Sequence, residues 1–199
     1  MPGSHGFTRV LLLIATTVIC VWLVTWSVNV FGFHSPITAF LVNWLIVTWM
    51  ATVALSIRLP LPSRYYDIKA CENGGRIYEH LGVRFFKKLV RRGPLSIFSR
   101  TLRLPKDDTT AALRLLDQKM RRAEAIHLFS FLAIWPFICY SVLRKWSDVA
   151  GWLLLFNLMV NGYPIMLQRY NRIRLHKLRI QIRAIRGGVG DAGLRTWAS

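Results

Sequence analysis

Acidic residues are scarce in this chain. Nine Asp and Glu stand against 27 Lys and Arg in 199 residues, for a formal net charge of +18. Charge of either sign is missing altogether from Val10 to Ile57, a run of 48 residues. Cysteine is rare as well: Cys20, Cys71 and Cys139 lie far apart, which excludes a secreted disulfide scaffold. No phosphate-binding P-loop and no Gly-x-Ser-x-Gly elbow occurs, so the signatures of P-loop nucleotidases and α/β-hydrolases are missing. What is abundant is apolar surface. The chain is 53% hydrophobic and 13% aromatic, far too apolar for a disordered basic tail. High basic charge joined to high apolar content fits a small integral membrane protein whose charges are confined to aqueous segments.

The uncharged run is too long for one crossing. At about 1.5 Å per residue it makes roughly 70 Å of helix, against a hydrocarbon core of about 30 Å. Phe31-Gly32-Phe33-His34-Ser35-Pro36 is where it folds back. Spans are expected at about 10–30 and 37–57. The run is longer than a signal peptide and lacks a small-residue cleavage site. Two further spans are expected at 125–143, with His127 and Pro136, and at 149–168, with Asn157, Asn161 and Pro164. The fold class expected is all-α: a polytopic bundle of four transmembrane helices forming one membrane domain over 1–199. Between them lies a loop over 58–124, and a basic tail follows over 169–199.

Lys and Arg placement orients the chain. Sixteen of the 27 lie between Arg58 and Arg122, and eight between Gln168 and Ser199. The positive-inside rule therefore puts the middle loop and both termini in the cytoplasm, at the cell (inner) membrane. Within the loop, Ile77, Leu81, Phe85 and Leu89 recur every fourth residue, with Tyr78 and Phe86 beside them. Glu79, Arg84, Lys87, Lys88 and Arg91 occupy the other faces. This is an amphipathic helix with a basic face, suited to lying in the membrane interface or to packing under the spans. Arg92-Gly93-Pro94 ends it. After Pro105, Asp107 or Asp108 caps a helix starting near Thr109, whose stripe of Leu113, Leu116 and Met120 continues to Glu124 and His127. Those two ionisable groups are spaced i, i+3 on one face at the mouth of the third span.

Three stretches carry a family resemblance. Tyr163-Pro164-Ile165-Met166-Leu167-Gln168-Arg169-Tyr170-Asn171-Arg172-Ile173-Arg174-Leu175 resembles the closing motif of the glycosyl-4,4'-diaponeurosporenoate acyltransferases, which esterify the sugar of carotenoid glycosides. Glu72-Asn73-Gly74-Gly75-Arg76-Ile77-Tyr78-Glu79-His80-Leu81-Gly82-Val83 resembles that family's approach to a basic helix. Arg122-Ala123-Glu124-Ala125-Ile126-His127 resembles its Glu-x-x-His. Ile173 and Val90 stand where the family pattern has Pro. The resemblance implies a membrane acyltransferase, active in carotenoid biosynthesis. It would act on a hydroxyl of a lipid-soluble, glycosylated isoprenoid acceptor, with acyl-CoA or another acyl donor as co-substrate and no resident cofactor.

Acyl transfer to a hydroxyl needs a base and a donor for the oxyanion. His127 has the right proton affinity, and Glu124 one turn away would set its tautomer. The alternative is a structural His127 bonded to a carbonyl or head group, with Glu124 paired to Arg121 or Arg169. Metal is a further alternative, for which only His80, Glu79 and Glu72 could complete a ligand set. Pro164 leaves the carbonyl of Val160 without its helical donor. Asn161, one turn away, is the candidate oxyanion donor or an interhelical bond. Gln168, Arg169, Tyr170, Asn171, Arg172 and Arg174 form a polar cluster suited to the donor's phosphates, with Tyr78 added from the second stretch and Lys88 from the basic helix after it. Ordinary anchoring is the plainer role for its arginines. Lys177, Arg179, Arg183 and Arg186 read as polybasic attraction to anionic lipid head groups. Cys20 and Cys139 read as inert, Cys71 as a thiol without an activating neighbour. Gly187-Gly188-Val189-Gly190 reads as a flexible tail. The spans account for the charge better than nucleic acid does. Two other classes stay open: a small membrane methyltransferase or reductase, and a non-catalytic binder of anionic lipid. Oligomeric state is not encoded in these patterns.

Overall fold

The computed structural model describes residues 3–57, 59, 61–92 and 110–195. Helices α1 (Gly3–Phe31) and α2 (Pro36–Ser56) come first, followed by short 3₁₀ turns at Ser63–Tyr66 and Ala70–Gly75. Then come α3 (Arg76–His80), α4 (Val83–Arg92), α5 (Thr110–Leu143), α6 (Ser147–Asn157), a π turn at Leu158–Gly162 and α7 (Tyr163–Arg195). No strand occurs among the described residues. Four helical stretches are long and apolar enough to cross a membrane: Gly6–Phe31, Pro36–Ser56, Ala111–Leu143 and Ser147–Ile182. The all-α, four-span expectation holds.

Contacts divide the chain into two compact units. One takes residues up to Tyr66 and Arg122–Met166; the other takes Asp67–Arg121 and Leu167 onward. In the first unit, Gly32 at φ +83° lets the chain reverse after α1. Ser35 caps α2, its Oγ accepting from the Ile37 N–H at 3.2 Å, and Pro36 sits at the first helical position. Ala39, Ile134, Ile138, Val149, Ala150 and Leu153 form the core. Asn43 Nδ2 donates to the carbonyls of Ala39 (3.0 Å) and Leu153 (3.4 Å), an interhelical bond of the kind that holds helices together in lipid. His34 Nδ1 lies 2.7 Å from Asp148 Oδ2 and ties the α1–α2 turn to the start of α6. Val18 and Trp22 of α1 are each 62% exposed, an apolar surface that suits a lipid environment and not water.

In the second unit, Leu113, Leu116 and Met120 pack against Leu175, with Leu178 and Ile182 beside them. The expected single amphipathic helix is two helices. Gly82, at φ +78°, stops α3 in the left-handed conformation that a glycine tolerates best, and its N–H donates to the Glu79 carbonyl. Ile77, Leu81 and Phe85 are 43%, 49% and 73% exposed, so this apolar stripe faces outward, while Tyr78 and Val83 are the buried residues. Leu89 and Arg91 are side chains outside the described set, as are the Arg92-Gly93-Pro94 break beyond Arg92 and the Asp107/Asp108 cap.

One expectation at the chain's end is corrected. The tail over 169–199 is helical through Arg195, because no proline follows Pro164 and the Leu175/Leu178/Ile182 side of α7 has an apolar partner. Gly187–Gly190 lie inside that helix instead of forming a loop. Gly188, Gly190 and Gly193 have the spacing of a dinucleotide-binding turn, but they sit within α7 and no strand precedes them among the described residues.

Candidate active site

The third and fourth apolar stretches bring His127 and Asn161 together. His127 Nδ1 is 3.3 Å from Asn161 Oδ1. Asn161 Nδ2 donates to Asn157 Oδ1 at 2.9 Å, and Asn157 Nδ2 donates to the Phe131 carbonyl at 3.0 Å. The direction of this chain is set from its far end. A backbone carbonyl can only accept, so Asn157 must present its NH₂ there and its oxygen to Asn161. Asn161 then turns its own oxygen to the imidazole. The Asn161 oxygen assigns a hydrogen to Nδ1. Asn157 and Asn161 are fully buried, whereas His127 is only half-buried and so reachable.

The local backbone follows from Pro164. Lacking an N–H, it breaks the helical ladder, and the turn before it widens to a π turn in which the Tyr163 N–H reaches the Leu158 carbonyl. The imidazole also hydrogen-bonds the Val160 backbone, the acceptor that Pro164 leaves open. Glu124 is fully buried one turn before His127, but the partner at Nδ1 is Asn161. Arg122 Nη2 donates to the Ala54 carbonyl at 2.6 Å.

The polar cluster at the start of α7 belongs to the second unit, and carboxylates hold much of it. Arg169 Nε donates to Glu72 Oε1 at 2.7 Å, and Tyr78 Oη donates to the same oxygen at 2.6 Å. The Lys69 N–H donates to Glu72 Oε2 at 2.7 Å. Burial works to raise the Glu72 carboxyl, but the Arg169, Tyr78 and Lys69 hydrogen bonds together hold it below the usual range. Burial, then the bond to Glu72, pushes Tyr78 up to about 12. Arg172 lies 3.5 Å from Asp117, which also takes Arg121 Nε at 3.0 Å and has Arg179 at 3.9 Å. Tyr170 Oη donates to Glu79 at 2.8 Å, and the Tyr170 ring has Lys87 and Arg174 at 5.9 and 5.8 Å. Lys87 Nζ donates to Asn171 Oδ1 at 3.3 Å. Gln168 is buried with its Oε1 unbonded among the described residues, while Lys88 and Arg174 are exposed.

Glu72 and Asp117 are the residues that sequence reasoning undervalued. The available signal was scarcity: with nine acids against 27 bases, each acid near an arginine-rich motif is a candidate anchor. Among the described residues no three of His, Cys, Asp and Glu converge as a metal site would require.

The family model for glycosyl-4,4'-diaponeurosporenoate acyltransferase matches residues 62–181, about three fifths of the chain. The chain belongs to that acyltransferase family. The matched range holds both the His127–Asn161 pair and the Glu72–Arg169 pair, so this acyltransferase member carries both inside its family-defining region. No curated protein and no solved structure matches the chain.

Proposed function

We propose that this chain moves an acyl group from an activated donor, a thioester such as acyl-CoA, to a hydroxyl of a lipid-soluble glycosylated isoprenoid. The observation that carries the reading is the directed chain Phe131–Asn157–Asn161–His127 within an acyltransferase family region. His127 takes the proton of the acceptor hydroxyl as its oxygen attacks the donor carbonyl carbon. The carbon–sulfur bond then breaks, and the thiolate leaves with that proton. Asn161, fully buried, is a positioning residue that holds the ring. Glu124 supplies a buried carboxylate one turn from the imidazolium that forms.

Arg169 and Arg172 are positioning residues in this reading, because Glu72 and Asp117 already engage them. Lys88 and Arg174 are the exposed cations for the donor's phosphates or for anionic lipid. Gln168, Tyr170, Asn171 and Tyr78 shape the same polar surface of the second unit. The middle loop and both termini are cytoplasmic, by the weight of basic residues.

Membranes containing the chain, given labelled acyl-CoA and a glycosylated isoprenoid, should form a labelled ester that His127→Ala abolishes. Label drawn instead from S-adenosylmethionine or NADPH would replace the reading with a methyltransferase or reductase. A chain that consumes none of the three would be a lipid-binding protein.

A further inference from the structure

An apolar groove of about 410 Å³ lies in the first unit among α1, α2, α5 and α6. Val21 and Val24 of α1, Val42 and Ile46 of α2, Phe137 of α5 and Leu153 of α6 supply its walls. The threonine and serine hydroxyls on those walls are already committed. Thr17 donates to the Leu13 carbonyl and accepts from Trp49 Nε1 at 2.9 Å. Thr25 and Ser141 donate to carbonyls of their own helices, and Thr38 to the Gly32 carbonyl. The Tyr140 hydroxyl lies on the wall as well, on a residue 54% exposed at the α1–α2 turn end, so the length of the groove away from that end suits an apolar chain.

Its dimensions narrow the occupant. From Thr17 to Val28 along α1 it runs roughly 16 Å at about 1.5 Å per residue. That is about half of a hydrocarbon core of about 30 Å, the depth of one lipid chain in one leaflet. Val21 is 62% and Tyr140 54% exposed, so the groove opens sideways and a chain can enter from the bilayer. Its inner end is level with the candidate base. Arg122 of α5 bonds the Ala54 carbonyl of α2, and five residues along these antiparallel helices His127 comes level with Trp49, which lines the groove.

We propose that this groove seats the fatty acyl chain of the donor, with the carboxyl-bearing end toward Trp49 and the chain end toward the α1–α2 turn. The proposal rests on the acyl-transfer reading. The groove then sets which chain length is transferred: a chain longer than the groove meets the Phe33 end, and a shorter one leaves wall uncovered.

The test uses the full chain in lipid nanodiscs with palmitoyl-CoA carrying a diazirine at the chain end, and separately with phosphatidylglycerol carrying the same tail. Palmitoyl-CoA should label groove residues of α1 and α2, and unlabelled palmitoyl-CoA should compete the labelling away. Val42→Trp should reduce labelling at least tenfold and shift transfer toward shorter chains, while Leu11→Trp, on the exposed side of α1, should change neither. Labelling in the wild type needs no variant to fold. Uncompeted labelling by phosphatidylglycerol alone would overturn the proposal, because the groove would then be a cleft for bulk lipid. Saturable labelling only outside the groove would also overturn it, as would labelling by an isoprenoid glycoside probe that palmitoyl-CoA does not displace. Competed groove labelling without ester formation on any acceptor would uphold the chain site and defeat the acyl-transfer reading.

Discussion

At the residue scale the imidazole and the buried carboxylate Glu72 make opposite demands. In the proposed mechanism His127 gains and loses a proton, and its Asn161 partner is a neutral acceptor that orients it without locking a charge. His127→Ala should therefore lower turnover by about 10²–10⁴-fold with little change in apparent donor affinity. Steady-state rates against donor concentration would show it, and near-normal turnover would remove His127 from the mechanism. Glu72 is the reverse case. It is held charged by Arg169, Tyr78 and the Lys69 N–H, and removing one partner of a buried pair costs about 3–5 kcal/mol. Glu72→Ala should lose stability on that scale, read as a drop in the unfolding midpoint in detergent. An unchanged midpoint would mean that the pair does not anchor α7.

At the element scale the two ends of α3 depend on glycines that differ in surroundings. Gly75, at φ +101°, caps α3, and a Cβ there would come within 3.2 Å of the Tyr170 ring on α7. Gly82, at φ +78°, stops α3 in open space. Each Gly→Ala pays the left-handed backbone cost of about 1–2 kcal/mol, but only Gly75→Ala also displaces Tyr170 and its bond to Glu79. Gly75→Ala should thus destabilise clearly more than Gly82→Ala in the same melting experiment; equal effects would deny the packing of this turn on α7. The fourfold repeat of Ile77, Leu81, Phe85 and Leu89 reads as one helix because the apolar spacing continues straight through Gly82, and spacing alone does not register a glycine's φ.

For the whole molecule, pH and topology are the readable quantities. The folded carboxyl of Glu72 lies below its unfolded value, so the stability it adds is complete above the ordinary carboxylate range near ~4.3 and is lost as pH falls through the lowered folded value. Tyr78 is raised to about 12, so its contribution is complete below about 10 and lost as pH rises toward that value. Glu72→Gln should flatten the acid limb of the stability profile and leave the neutral region level; an acid limb as steep as wild type would assign the loss to other carboxylates. The topology proposed rests on the 16 and eight basic residues of the two hydrophilic segments. A membrane-impermeant thiol reagent added outside intact cells should label Ser35→Cys and leave the exposed native Cys71 unmodified. The opposite pattern would invert the orientation.

Composition and spacing alone determined the class of this protein. A 48-residue charge-free run is too long for one crossing, and further uncharged stretches around His127 and Asn161 bring to four the helices long and apolar enough to cross a membrane. The Tyr163–Leu175 motif carried the family, and Pro164 already implied an unbonded carbonyl at Val160. What only tertiary structure decided was partnership. That Asn161 and not Glu124 meets Nδ1, that Glu72 holds Arg169, and that Asp117 gathers arginines from α5 and α7 all depend on which faces of distant helices meet. Helical periodicity places a side chain on a face, but a hydrogen bond needs a partner within about 3 Å, and residues 34 or 97 positions apart reach that distance only through packing.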